Sequence, residues 1–412
     1  MSIIYSRLFS LAVGAVLFLF PLLILTIKGS YNFLAAALLM LGLIFCWGSK
    51  NLIEISREDF VFFGSLLIYP FVLLIAMVLQ GGKWTALDYP WRALAILPIA
   101  LMLKTPSVQI TCTMRWIQGW LMGALLSGVV ALFLVYWRGW LRVGSHITNE
   151  IPYGQIAAIL ALGAFLFIGL YRHCIWRLVC CFAGCGGLYA LISSGTRGAW
   201  VAFILALFSC GLAIFKWKFP RVAVAMVLFA LGILALQHSS LVQSRLDAVR
   251  ADMLSYQNGD AYTSTGVRLE LWRLSAEIAK ESPLFGAGPG HFKEALAPKI
   301  GEKPFLANYA HAHSQYFDTL ANAGFIGLAG LLVSFLAPLV LFWGRLRSSQ
   351  RLERVFALQG CGLIIVSMVA GLTQPLYAHN ISVIFYFICL SVCWGFSSAN
   401  AVPSPRLEDG ME

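Results

Sequence analysis

The chain has 412 residues, 60% of them hydrophobic and 11% charged, with a formal net charge of +11 and a mean hydropathy of +0.81. Soluble domains carry about 25% charged residues, so a soluble globular protein is excluded. The basic residues are dispersed among short loops, which excludes a nucleic-acid-binding patch.

A bilayer crossing takes about 20 mostly apolar residues. Twelve such stretches follow in chain order: about 9–27, 31–48, 60–79, 89–103, 116–136, 153–170, 175–192, 198–215, 221–237, 320–343, 355–373 and 380–397. The expected fold is an all-α polytopic integral membrane protein with about 12 transmembrane helices. One polytopic domain spans residues 1–412, and a long polar loop at 238–319 is inserted between spans 9 and 10. The first apolar run is long and lacks a small-residue cleavage site, so it is expected to remain as an anchor.

Alternate loops hold Lys50 and Arg57, Lys104 and Arg115, Arg172 and Arg177, Lys216, Lys218 and Arg221, and Arg345, Arg347, Arg351 and Arg354. With Arg7 and Arg406, one side carries fifteen of the 29 basic residues. Short loops rich in Lys and Arg stay in the cytoplasm, and long loops translocate regardless of charge. Both termini are therefore expected to be cytoplasmic and the long loop exported. None of the ten cysteines falls in an exported loop, and they read as small apolar packing residues. Cys180, Cys181 and Cys185 lie inside a span without partner histidines, so neither disulfides nor structural zinc are expected.

Residues 238–262 carry alternating charges (Arg245, Asp247, Arg250, Asp252 and Asp260) and read as a short surface helix with a solvated face. Thr265 is a potential cap for a helix over Val267–Lys280, which Ser282-Pro283 stops. Leu269, Trp272, Ala276 and Ala279 follow one apolar face. PLFGAGPGHF, residues 283–292, is a glycine-rich turn; it lacks GKS/T and is not a phosphate-cradling P-loop.

Two pentads share a pattern. SSGTR at 193–197 lies where the seventh span surfaces, and STGVR at 264–268 opens the loop helix. Free N–H groups and the positive end of a helix attract anions, and arginine adds a planar fork suited to phosphate. Arg197 and Arg268 are thus candidate anion ligands. An interfacial arginine snorkelling to headgroups is the alternative for Arg197, and a solvated first-turn arginine the alternative for Arg268. Arg92, Arg138 and Arg142 lie toward the same side and would enlarge the positive patch. In HAHS, residues 311–314, His313 precedes Ser314, a fitting N-cap for the next span. A helix end beside an imidazole disfavours its charged form and favours a proton acceptor near pH 7. His311 would face elsewhere if this segment is helical. His291 and His379 are looser candidates, and ordinary interfacial packing is the favoured reading of His379.

His313-Ser314, nine residues, then Gly324-Phe325-Ile326-Gly327 resembles the H-[N/S/Q]-x9-G-x-x-G signature of the O-antigen ligases, in a superfamily with O-antigen polymerases and some protein O-oligosaccharyltransferases. The resemblance extends to Arg268 followed by Trp272, to PLFGAGPGHF, to Arg197 before a span, and to the single large late loop. Leu328-Ala329 stand where the family pattern often has small hydroxylated residues.

The resemblance implies a glycosyltransferase of the bacterial inner membrane, with its site facing the periplasm and no metal or other cofactor. The donor would be a glycan on undecaprenyl diphosphate, and the acceptor a sugar hydroxyl of lipid A–core, both held in membrane lipid. His313 would be the base, Arg197 and Arg268 the diphosphate ligands, and His311, Ser314, Arg142, Arg138 and Arg92 supporting residues. Polymerase and protein glycosyltransferase are alternatives within the superfamily. A polytopic transporter is the alternative from another class, although transporters tend to carry mid-membrane charges and repeated halves, which this sequence lacks.

Overall fold

The computed structural model describes residues 3–48, 55–214, 240–301 and 303–398. Every regular element among them is helical. In chain order these are α1 (Ile3–Leu23), α2 (Ser30–Gly48), α3 (Arg57–Gln80), α4 (Asp88–Trp91), α5 (Ile96–Lys104), α6 (Pro106–Tyr136), α7 (Glu150–Phe167) and α8 (Cys174–Ser193). They continue with α9 (Arg197–Ile214), α10 (Ser240–Gln257), α11 (Ser264–Glu281), α12 (Phe292–Leu296), α13 (Gln315–Arg345), α14 (Arg351–Ala370) and α15 (Asn380–Phe396).

Among the described residues, nine helical segments are long and apolar enough to cross a membrane, and two shorter apolar helices, Arg7–Leu23 and Asn380–Phe396, stand where the first and last spans are expected. The described residues form an all-α fold, and these long apolar helices mark a membrane protein. The expected span at 221–237, with Lys216, Lys218 and Arg221, lies outside the described residues, as do Lys50, Ser239 and Arg406. The expected span at 89–103 is broken into α4 and α5 by a 3₁₀ turn at Arg92–Ala95. Pro90 and Pro98 lie in this stretch and remove backbone donors from a continuous helix.

With no hydrophobic drive between helices in lipid, packing depends on close backbone approach at small residues. A Cβ on Gly119 or Gly123 of α6 would come within 2.1 Å of the Phe18 or Pro21 carbonyl oxygen of α1. At one end of the bundle, Asp59 is fully buried. It completes a capping box with Ser56, pairs with Lys104 and accepts the Trp394 indole N–H at 2.8 Å. The Arg345 guanidinium lies 3.5 Å above the Trp394 ring and meets Glu58 at 3.0 Å.

Helix α3 starts at this basic end. At 1.5 Å per residue its length is roughly 36 Å, more than the ~30 Å hydrocarbon core. Just past its far end, the Lys83 N–H donates to the Pro289 carbonyl in the glycine-rich turn. The turn and the basic loops therefore sit at opposite ends of the bundle.

The long loop has its own small core. Val267, Leu271, Leu274 and Ile278 of α11 pack against Phe292, Leu296, Leu306, Ala312 and Ala321. Of the face expected from the sequence, only Ala279 is buried; Leu269, Trp272 and Ala276 are partly exposed. Leucines occupy both adjacent stripes, so helical periodicity alone could not choose between them. The cap also differs: Thr263, not Thr265, accepts the Gly266 N–H at 3.0 Å, and the helix begins at Ser264. Thr265 donates its hydroxyl and N–H to Asp252 at 2.8 and 3.2 Å.

The stretch before α11 is therefore more than a solvated face. The buried Glu270 carboxylate collects Arg273 at 3.0 Å, Lys303 at 2.9 Å and the Tyr256 hydroxyl at 3.1 Å, joining α10, α11 and the following lysine-containing stretch.

Candidate active site

Among the described residues, His313 alone combines a side chain with a left-handed backbone, at φ 50°. That conformation costs on the order of 1 kcal/mol, and neighbouring bonds fix it. The Ala312 N–H donates to Asp318 Oδ1 at 3.1 Å, and the Ala312 carbonyl accepts the Trp272 indole N–H, also at 3.1 Å. Trp272 stacks on Phe317 at 5.3 Å. The His313 N–H donates to His311 Nδ1 at 3.2 Å.

The segment is not helical, so His311 does not turn away: the two imidazole centroids lie 4.4 Å apart. Ser314 occupies the N-cap position of α13, yet its side chain makes no capping bond. The Gly371 carbonyl already takes the Gln315 N–H at 2.7 Å, a tertiary substitute for the expected cap.

His313 Nδ1 lies 3.2 Å from Gln374 Oε1, and Gln374 Nε2 lies 2.6 Å from His379 Nε2. Burial holds His313 below the usual imidazole range; the Gln374 bond opposes this shift and the positive charge of Arg268 reinforces it. Burial pushes His311 down to about 4, helped by His313 and His379. His379 is lowered by burial and by His313. Three imidazoles kept neutral at pH 7 thus share one site. His379, for which interfacial packing was expected, reaches His313 through Gln374.

The SSGTR segment forms the turn between α8 and α9. Gly195 sits at φ 64°, Thr196 donates its hydroxyl to the Glu150 carbonyl at 2.9 Å, and Arg197 is the first residue of α9. Arg142 Nε donates to the Ser194 carbonyl at 3.0 Å, so Arg142 joins this turn.

Arg268 lies partly buried in the first turn of α11. Its guanidinium is held below its ordinary range first by burial and then by the like charge of Arg197, with Asp252 and Tyr309 acting the other way. Arg268 is thus coupled electrostatically to both Arg197 and His313. Arg92 is directed elsewhere: it bonds Asn380, pairs with Asp88 at 2.8 Å and covers the Tyr89 ring. Arg138 is exposed after α6. His291 begins α12 beside Gly81.

Two cations and a neutral imidazole, drawn from three separate segments, can hold an anion and accept a proton next to it. Residues 182–332 match the family model described as O-antigen ligase. That segment, about a third of the chain, is similar to the O-antigen ligase family. The chain is also similar, along nearly its whole length, to an uncharacterized protein of Haemophilus influenzae, 26% identical over 385 residues that cover 90% of this chain and 94% of that one. The O-antigen ligase segment contains Arg197, Arg268, His313 and the two glycines of the signature, and ends before Gln374 and His379. Members of that family are glycosyltransferase-like, ligases or polymerases, and the match supports a membrane enzyme of that coarse class.

The first signature glycine has a structural explanation. Gly324 breaks α13 with φ 64° and ψ −163°. The break frees backbone groups that the glycine-rich turn then takes up. The Ala287 and Gly288 N–H groups donate to the Ala321 and Asn322 carbonyls at 2.8 and 3.1 Å. In return, the Phe325 and Ile326 N–H groups donate to Pro283 and Leu284 at 2.8 and 3.2 Å. The turn is thereby fastened to the helix that carries His313.

Sequence reasoning missed Gln374 and Asp318. The signal for Gln374 was a lone amide next to a proline in an apolar stretch; for Asp318, a carboxylate at the mouth of a span.

Proposed function

We propose that this protein is an O-antigen ligase. It transfers a glycan from undecaprenyl diphosphate to a sugar hydroxyl of lipid A–core, in the inner membrane of a bacterium. The chain crosses twelve times with both termini in the cytoplasm, and the 238–319 loop caps the site from the periplasm. Clustering of Arg57, Lys104, Arg345 and Arg351 at the end opposite the histidines supports this orientation.

The observation that supports the reading is that Arg268 is coupled electrostatically both to Arg197 and to His313. His313 Nε2 takes the proton of the acceptor hydroxyl, whose oxygen attacks the anomeric carbon as the bond to the diphosphate breaks. Direct displacement inverts that centre. The leaving diphosphate is already a stabilised anion, so it needs positive charge more than a proton, and the two guanidinium groups supply that charge as it develops. A base of this kind is worth about 10²–10⁴-fold. Both substrates are lipid-anchored, so a site at the membrane boundary admits each laterally.

The test is transfer from a lipid-linked glycan to purified lipid A–core, with growing glycan and acceptor protein as competing acceptors. Product on lipid A–core alone supports ligase; product on glycan identifies a polymerase. Orientation is tested by labelling Asn258→Cys with an impermeant thiol reagent in intact spheroplasts. Labelling only after lysis contradicts the orientation.

A further inference from the structure

We propose that Gln374 and His379 form a positioning relay that fixes which nitrogen of His313 is free to accept a proton. The inference rests on His313 being the general base, and it lies outside the segment matched to the family.

An amide oxygen only accepts hydrogen bonds. With Gln374 Oε1 facing His313 Nδ1 at 3.2 Å, the imidazole proton resides on Nδ1, and Nε2 keeps its lone pair. A glutamine amide can flip, which would present a donor instead and move that proton to Nε2, abolishing the base. The relay assigns His379 the tautomer with its proton on Nδ1: its Nε2, 2.6 Å from Gln374 Nε2, then accepts the amide N–H and holds the amide against the flip.

The parts are anchored. Gln374 is 3% exposed, and its N–H donates to the Ala370 carbonyl at the end of α14. His379 is the residue before α15, whose Val383 N–H returns to the His379 carbonyl. Two spans thereby meet at one imidazole through a side chain that never touches substrate. Orientation by a neighbouring hydrogen bond is how ring tautomers are set elsewhere, and loss of such a partner costs about 10–100-fold.

The groups facing His313 are the Tyr309 and His311 rings from its own loop, Arg268 from α11, and Gln374 with His379 behind it. A carboxylate replacing Gln374 would sit against Nδ1–H and stabilise the imidazolium. It would move the acid limb of the rate profile to higher pH by about one unit or more.

The experiment compares Gln374→Ala, Gln374→Glu, His379→Gln and His313→Ala by single-turnover transfer, donor binding and pH–rate profile in detergent-purified protein. The relay predicts a single-turnover rate about 10–100-fold lower for Gln374→Ala, with donor affinity unchanged. His379→Gln, which retains an acceptor, should keep more activity than Gln374→Ala. Gln374→Glu, nearly isosteric, should shift the acid limb upward even if Gln374→Ala fails to fold. A wild-type rate in Gln374→Ala, or an unmoved profile in Gln374→Glu, overturns the relay while leaving His313 as the base. An active His313→Ala removes the base and the relay with it.

Discussion

Asp318 accepts the peptide N–H of Ala312 at 3.1 Å, and so an acid six residues downstream holds the turn between the two histidines. Its own carbonyl accepts the Asn322 amide at 2.9 Å, linking that turn to the helix break. Replacing Asp318 with Ala removes the acceptor, so His313 loses part of what maintains its left-handed backbone. Transfer should fall at least about tenfold, and stability by about 1–3 kcal/mol. Asp318→Asn keeps an acceptor oxygen and should retain most of the stability. Thermal unfolding alongside initial rates checks both. Equal behaviour of the two variants would show that the bond to Ala312 does not matter.

Gly324 is where the signature becomes geometry. Its φ of 64° favours glycine, and an added Cβ would lie 2.4 Å from the Leu284 backbone. Gly324→Ala should therefore cost at least about 1–3 kcal/mol and undock the glycine-rich turn. Gly211, where a Cβ meets nothing within 4 Å, serves as the control and should tolerate Ala. Limited proteolysis of the 283–292 turn reports the undocking directly. Equal protection in the two variants would contradict it.

The arginine pair predicts matched defects. Arg197→Ala and Arg268→Ala should each lower transfer by about 10²–10³-fold, the scale of losing one charge-stabilising donor. Lys should restore activity only in part, since an ammonium cannot grip two oxygens as a planar fork does. Donor titrations and single-turnover rates separate binding from chemistry. Normal affinity and turnover in both Ala variants would end the assignment. Chelators should leave every variant unchanged.

The sign of the pH dependence follows from burial. His313 is held below the ordinary imidazole value of about 6.5, so it stays neutral and competent as pH falls from 8 toward 6.5. The rate measured as kcat/KM, which reports the free enzyme, should be flat across that window and decline only below it. A decline centred above pH 7 would mean that the titrating group is not this imidazole.

Apolar runs made most of the membrane helices legible in the sequence, because lipid demands long uninterrupted apolar segments. That Arg197, Arg268 and Ser314 stand at or beside helix starts was legible too, from the hydroxyl and glycine residues around them. Finer features were not. Thr263 and Thr265 are equally good caps on paper; the choice fell to Asp252, 13 residues away, which occupies Thr265. Ser314 looked like a cap, but the Gly371 carbonyl had taken the duty. Gln374 sits 61 residues from His313, beyond two intervening spans, and no local pattern connects an amide to an imidazole across that distance.

The most direct test of the account is single-turnover transfer with donor binding in His313→Ala and His311→Ala. His313 carries the proposed lone pair, whereas His311 supports it through one bond from the His313 N–H at 3.2 Å. The account predicts that His313→Ala loses transfer by about 10²–10⁴-fold while binding the lipid-linked donor normally, and that His311→Ala loses about tenfold or less. A fully active His313→Ala would contradict it, and loss of donor binding in that variant would move His313 into the diphosphate site.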